Sequence, residues 1–340
     1  MRTTIDDIAR VAEVSSATVD RVLNNRAGVG ARTKATVLSV AQKLGYIASP
    51  EFPLEKSASS KLKLDFVLPT ANNQFMSILR NEIESQAKAR ENLDVHVTEA
   101  KDIDPRKLAE KIRSLEGIAE GIGIVALDHP DVREAIRLVS KAGAKIVTIA
   151  SDISYVPRVD YIGIDNRAAG RLAGYLMNRF YNGAGSGKVA MFSGSLAYRG
   201  HEEREMGFRH ILAEDSPRMH IVEQLEMMDD PDTAFRITME LLAKHSDLSA
   251  IYNVGAGNSG IARALKVSNL KRHVLLIGHD ATEDTRELLL DGTLDAVIDQ
   301  NPRVEAREAL NALEGAITGK HFEKHPPRLQ VIFRENIPAE

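Results

Sequence analysis

Short apolar runs recur at close intervals from residue 62 onward, and longer stretches of helical period separate most of them. They read LKLDFVLP, LDVHVTEA, GIGIVALD, AKIVTIAS, VDYIGID, GKVAMFSG, HIVEQLEM, LSAIYNVG, HVLLIGHD and LDAVIDQN, with VIFREN near the C-terminus. The pattern from Gln74 to Arg90 and the segment PRKLAEKIRSLE have the spacing of amphipathic helices. A run this continuously apolar has no face to give to water, so it reads as a strand buried on both sides, in a parallel sheet covered by helices. Residues 62–340 exceed one ordinary doubly wound sheet, and two such lobes are expected.

In doubly wound sheets ligands sit beyond the carboxyl ends of the strands, so the residues that close each run are the informative ones. They are Asn72, Asn73, Gln74 and Phe75, then Asp128, Ser151, Asp152, Asp165, Asn166, Ser193, Ser195, Asn253, His279, Asp280, Gln300 and Asn301. Carboxylates and amides dominate and cations are few, which suits hydroxyl groups better than phosphates. One loop argues for an enzyme. Gly255-Ala256-Gly257-Asn258-Ser259-Gly260 is a literal G-x-G-x-x-G with Asp280 about twenty residues beyond, the pattern of a nucleotide-dependent oxidoreductase. It lies deep in the second lobe, far from the first strand-to-helix turn where that fold places it, so these glycines are assigned to a close-approach loop. Gly183 to Lys188 precedes its strand and lacks Ser or Thr after the lysine, and His201-Glu202 is followed by Glu205 where a zinc-protease motif needs histidine. Neither a phosphate loop nor a metal site is expected, nor any cofactor.

The first fifty residues have a different period. Ile5, Ile8, Ala9 and Ala12 form one apolar helical face, with Thr4 as N-cap and Asp7 three residues on as an acidic capping box. Glu13-Val14-Ser15 breaks the pattern, and Ser15 or Ser16 caps a second helix with Val19, Val22 and Leu23 inside. A third segment, Thr33 to Leu44, carries Val37, Val40, Ala41 and Leu44 on one face and stops at Gly45. Two helices joined by so short a turn make a helix-turn-helix. Residues 1–50 hold seven Lys/Arg against four Asp/Glu, a net +3, which leaves −7 on the rest of a chain whose total is −4.

TIDDIARVAEVSSATVDRVLNN, Val29 and Thr33 four apart, and A-x-x-L-G-Y from Ala41 to Tyr46 resemble the DNA-binding headpiece of the lactose-repressor (LacI/GalR) family. The resemblance implies that the second helix enters the major groove, with Ser16, Ala17 and Arg21 facing bases and Thr18 and Asn24 near phosphates. Thr4, Ser15, Arg26 and Leu54 complete the implied DNA-binding set. Arg21 is the strongest base reader, since its fork matches guanine O6 and N7. Two departures stand out: Glu13 where the family has Gly, and Asp20 where it has Ser. Residues 48–61 read as a linker. The family's hinge helix wedges a leucine into the minor groove, whereas here Pro50 and Pro53 restrict any helix and leave only Leu54.

The strand series resembles the sugar-binding periplasmic fold that this family uses as its effector domain. The implied fold class is an all-α helix-turn-helix headpiece followed by an α/β domain of two doubly wound lobes, type I periplasmic-binding-protein-like. Headpiece, linker and effector domain are expected at 1–47, 48–61 and 62–340. By resemblance Asn73 and Phe75 match the first-strand ligand loop, Arg204 in REMGF matches a sugar-clamping arginine, and Asp280 and Gln300 complete the set. Asp128, Ser151, Asp152, Asn253 and Asn258 join it from the strand ends, although Ser151-Asp152 stands where many relatives have Asp-Arg. The expected activity is a repressor whose binding to palindromic operator DNA is controlled by an uncharged sugar or polyol held by Arg204 and Asp280.

Composition agrees with a folded, non-enzymatic binder. Hydrophobic residues make up 43% and charged ones 27%, which argues against disorder, and the absence of cysteine removes disulfides, thiolate metal sites and cysteine nucleophiles. No apolar run reaches bilayer length and MRTTIDD lacks a signal-peptide core, so a cytoplasmic protein with no membrane partner is expected. The chain stops soon after VIFREN without a leucine-rich tail, and a homodimer is the expected assembly.

Overall fold

The computed structural model describes residues 4–24, 29–44, 46, 61–69, 73–100, 103–183, 185–215, 218–268, 270 and 272–338. Arg26, Gly45, Pro50, Pro53, Leu54 and Asn72, and with them residues 48–60 of the linker, lie outside the described residues. The chain divides into two compact units, Met1–Ser60 and Lys61–Glu340.

The first unit contains α1 (Ile5–Val11), α2 (Ser16–Leu23) and α3 (Ala31–Lys43). Thr4 Oγ1 accepts from the Asp7 amide at 3.3 Å, and the Thr4 amide donates to Asp7 Oδ2 at 3.0 Å, closing the capping box. Ser15, not Ser16, caps α2 by accepting from the Thr18 amide at 3.2 Å. Ile8, Val19, Val37 and Ala41 are fully buried at the centre of a small core. Glu13, in the turn between α1 and α2, has φ 54°, a left-handed conformation that favours glycine.

The second unit alternates strands and helices as its sequence rhythm demands. In order it has β1 (Leu62–Leu68), α4 (Gln74–Lys88), β2 (Leu93–Glu99), α5 (Pro105–Arg113), β3 (Gly121–Ile124), α6 (Pro130–Lys141), β4 (Lys145–Ile149) and β5 (Asp160–Ile162). Then come α7 (Asn166–Phe180), β6 (Gly187–Ser193), α8 (Arg199–Asp215), β7 (Met219–Glu226), α9 (Pro231–Lys244), β8 (Leu248–Asn253) and α10 (Asn258–Val267). The order closes with β9 (Leu275–His279), α11 (Glu283–Leu290), β10 (Ala296–Asp299), α12 (Pro302–Thr318) and β11 (Gln330–Ile332).

Two sheets result, ordered β2-β1-β3-β4-β5 and β11-β10-β9-β8-β6-β7, every pair parallel except β10 with β11. Central strands such as β3 and β10 are buried at every position, whereas the edge strands β2 and β7 alternate toward solvent. One core fills the first lobe, and two more cover the opposite faces of the second sheet. The chain passes from the first lobe to the second after β5. It then returns, because α12 packs on α4, β3 and β4 and places Ala306, Ala309, Leu310 and Leu313 in the first core. A last crossing brings β11 back to β10. Strand order reverses at β1 in one sheet and at β6 in the other, so each sheet has its topological switch point beside a neighbour that runs the same way.

Candidate functional site

The carboxyl ends of the two sheets face each other across a cavity of about 30 Å³, lined from the first lobe by Asn73, Phe75, Met76 and Ser151 and from the second by His201, Arg204, Asp229, Asp280 and Gln300. A second cavity of about 120 Å³ shares Asn73, Phe75, Ala256 and Asp280 with it and adds Asn258 and Ser259. Hydrogen bonds cross the cleft: Asn73 Nδ2 donates to Asp229 Oδ2 at 3.1 Å, Gln74 Nε2 to Asp284 Oδ1 at 2.9 Å, and the Gly200 amide to Ser151 Oγ at 3.3 Å. A larger groove of about 550 Å³ lies against β5 and α12. It lacks the predicted ligand residues, so chemistry and not size assigns the cleft.

Arg204 on α8 is only 3% exposed, and its fork is fixed by donation from Nε to Asn166 Oδ1 and from Nη1 to the Val254 carbonyl, each at 2.8 Å. Asn166 is held in turn, its Nδ2 donating to the Tyr161 hydroxyl at 2.9 Å. The arginine reaches this position because α7 and α8 touch backbone to backbone. A Cβ on Gly170 would stand 1.8 Å from the Arg204 carbonyl oxygen, and one on Gly207 2.0 Å from that of Arg167. Glu203 and Glu205 of the same helix pair instead with Arg199 and Arg209.

Asp280 follows β9 with φ 69°, and its Oδ1 accepts from Gln300 Nε2 at 2.8 Å. Burial pushes its carboxyl up to about 7 against the opposing pull of Arg204 and the Gln300 bond. The Gln300 Oε1 atom is buried with no protein partner. Burial also drives His201 down to about 4, so its imidazole is neutral, with Nδ1 3.0 Å from the Ser195 carbonyl oxygen. Left-handed backbone collects here: Ala150, Met228, Asp229, Asp280 and Asn301 have φ between 54° and 69°, and each follows the end of a strand. Strain of this kind, on the order of 1–3 kcal/mol per residue, persists where the surroundings over-determine it.

Of the residues expected from sequence, Asn73, Phe75, Ser151, Arg204, Asp280 and Gln300 line the main cavity and Asn258 lines the adjoining one. Asn253 lines neither. Its Nδ2 donates to Asn258 Oδ1 and the Ala256 carbonyl, at 2.9 and 3.0 Å, so it shapes the loop and does not face the cavity. Asp128 and Asp152 also stand outside both cavities, each engaged by an arginine of its own lobe, Arg133 and Arg158 respectively. Asp229 and His201 were missed. A trace of Asp229 is readable in Asp229-Asp230-Pro231: Asp230 caps α9 through the Thr233 amide, which leaves a second carboxylate unexplained.

The G-x-G-x-x-G loop does run from β8 into α10, but its glycines answer to packing. A Cβ on Gly260 would lie 2.0 Å from the Pro231 carbonyl oxygen and one on Gly257, at φ 87°, 2.8 Å from Met227 Sδ. Close approach of the β7–α9 junction explains them without a phosphate.

In the first unit Ser15, Ser16, Ala17 and Arg21 are exposed, with Ala17 and Arg21 on the side of α2 away from the buried Val19 and Val22. Asn24 turns its amide back along the helix, Nδ2 donating to Asp20 Oδ1 at 2.8 Å.

Residues 64–321 match the periplasmic binding protein domain, and residues 4–49 match the bacterial regulatory proteins of the lacI family. The ribose import binding protein RbsB of Escherichia coli (strain K12) is 24% identical over 286 residues, covering 82% of this chain and 93% of that protein. The HTH-type transcriptional repressor PurR of Mannheimia succiniciproducens is 25% identical over 251 residues, 73% of this chain and 72% of that one. A solute-binding protein of Burkholderia graminis C4D1M, solved with D-arabinose, superposes with a TM-score of 0.75 at 22% identity, over 84% of this chain and 99% of that one. The sheets, the cleft and the helix-turn-helix thus have one family context: the chain belongs to the periplasmic binding protein domain family over most of its length, and with its N-terminal segment to the lacI family of bacterial regulatory proteins.

Proposed function

We propose that this DNA-binding transcriptional regulator is a repressor that acts as a cytoplasmic homodimer, does no chemistry, and responds to a small sugar or polyol bound between the lobes of residues 62–340. The headpiece is taken as 1–47 and the linker as 48–61. The observation that carries the reading is Arg204, a buried guanidinium fixed by two neutral acceptors and lining a polar cleft together with Asp280 and Gln300 of the same lobe. Arginine donors and carboxylate and amide acceptors together satisfy hydroxyl groups, which both donate and accept. The cleft volume is that of about one water molecule, so ligand entry requires the lobes to part. A ligand bridging them then favours one arrangement, and operator affinity changes by its differential affinity for the two.

Thermal shift against a carbohydrate panel tests this, since a ligand at a hundred times its dissociation constant adds about 2.7 kcal/mol of native stability. Arg204→Ala should abolish both the shift and the ligand's effect on DNA, and leave ligand-free operator binding nearly intact. Persistence of the response in Arg204→Ala at wild-type concentrations would withdraw the assignment.

A further inference from the structure

Asp229 is placed with more care than a loop carboxylate needs. It is 8% exposed, and both it and Met228 adopt φ 54°. Its seat is cut by two glycines, because a Cβ on Gly194 would lie 2.1 Å and one on Gly255 2.9 Å from its Oδ1. Oδ1 accepts from the Ala256 amide at 3.0 Å and Oδ2 from Asn73 Nδ2 at 3.1 Å across the cleft. A carboxylate has about four lone-pair sites, so half of its accepting capacity remains toward the cavity that it lines. An interlobe latch alone would not call for a buried charge, since a neutral amide pair makes such a bond without the desolvation cost of an ion.

With Asp280 ionised, as it is above about pH 7, the cavity's charges do not balance. Its described lining includes two carboxylates, Asp229 and Asp280, one guanidinium and no lysine. The guanidinium gives two of its donors to Asn166 and the Val254 carbonyl, which are neutral. His201 supplies no compensating charge, because burial keeps its imidazole neutral.

We propose that Asp229 makes the cleft selective for a polyol that carries a basic amine, with the ammonium group seated against the Asp229 carboxylate. The ligand's hydroxyl groups then take Arg204, Asp280 and Gln300, and its ammonium pairs with the Asp229 charge. This rests on the sugar-or-polyol reading and departs from it in one respect, the ligand's charge. The sequence pointed to an uncharged ligand because Asp229 was not counted among the cleft residues.

The test is thermal shift of the full chain with glucose, galactose and mannose, their 2-amino counterparts and the N-acetyl forms of those, for wild type and Asp229→Asn. At least one amino sugar should stabilise wild type at a concentration about tenfold lower than its parent or N-acetyl form, the ratio expected of one added charge-assisted hydrogen bond. Asp229→Asn should erase that preference and keep the weaker response to the parent. A response to parent sugars with no preference for the amine, or a preference unchanged in Asp229→Asn, overturns the inference and leaves the sugar reading standing. No response from any member sinks the sugar reading and this inference with it. The wild-type comparison decides the point even if the variant fails to fold.

Discussion

Asp280 is a carboxyl that folding has made a weaker acid, and this has a definite consequence for stability. Because its folded value is raised to about 7 by burial, the folded chain holds a proton that the unfolded chain has already released. The stability so gained is fully present below the ordinary carboxylate range and is lost as pH rises toward about 7, at up to ~1.4 kcal/mol per pH unit. Glu305 on α12 is also raised by burial, with Asp280 adding to the effect, and acts in the same direction. The melting temperature of wild type should therefore fall from about pH 5 to about pH 7 relative to Asp280→Asn, and the difference should level off above that range. Parallel melting curves would show that Asp280 is ionised throughout. Among single residues, Arg204 and Asp280 were legible in the sequence because each sits next to a recognisable motif or strand end. Asp229 was not, because its role comes from two glycines and an asparagine brought to it from other elements.

At the scale of elements, two backbone contacts carry testable costs. Gly170 lets α7 lie against the backbone of α8 at the Arg204 carbonyl, so Gly170→Ala must push apart two helices that cannot give at that point. The cost should be about 1–3 kcal/mol of stability, with a weaker ligand response because Arg204 moves with α8. Unchanged melting and response would refute the account. In the first unit, Glu13 holds a left-handed conformation that costs about 1–2 kcal/mol for a residue with a Cβ. Glu13→Gly should recover roughly 1 kcal/mol, seen as a higher denaturation midpoint for the headpiece transition. The helices themselves were readable, down to the Thr4–Asp7 capping box, because caps and apolar period are local properties. The choice of Ser15 over Ser16 as cap was not, because both have a suitable hydroxyl and only the backbone of the turn selects one.

For the whole molecule the proposed dimer makes a prediction about salt. Two headpieces neutralising phosphates on one operator should give a log–log slope of affinity against salt of roughly −0.9 per phosphate contact. Arg21→Ala should remove about 1–3 kcal/mol and relax one base position in each half-site without changing that slope. Equal affinity for operator and scrambled duplex at physiological salt would exclude sequence-specific recognition. Electrophoretic titration of both duplexes over a salt series measures all three quantities.

The two-lobed α/β architecture and the helix-turn-helix ahead of it were determined by the sequence alone. Apolar period, strand-end polarity and capping act over a few residues and leave their pattern in the order of the chain. The tertiary structure decided the rest. Only the fold returns α12 to the first lobe, because its apolar face fits the core beside α4 and the linear rhythm says nothing of which sheet a helix covers. Only the fold sets Asp128 and Asp152 against local arginines while Asp229 enters the cleft. All three are carboxylates near strand ends, and what separates them is which partners a backbone conformation brings within hydrogen-bond reach.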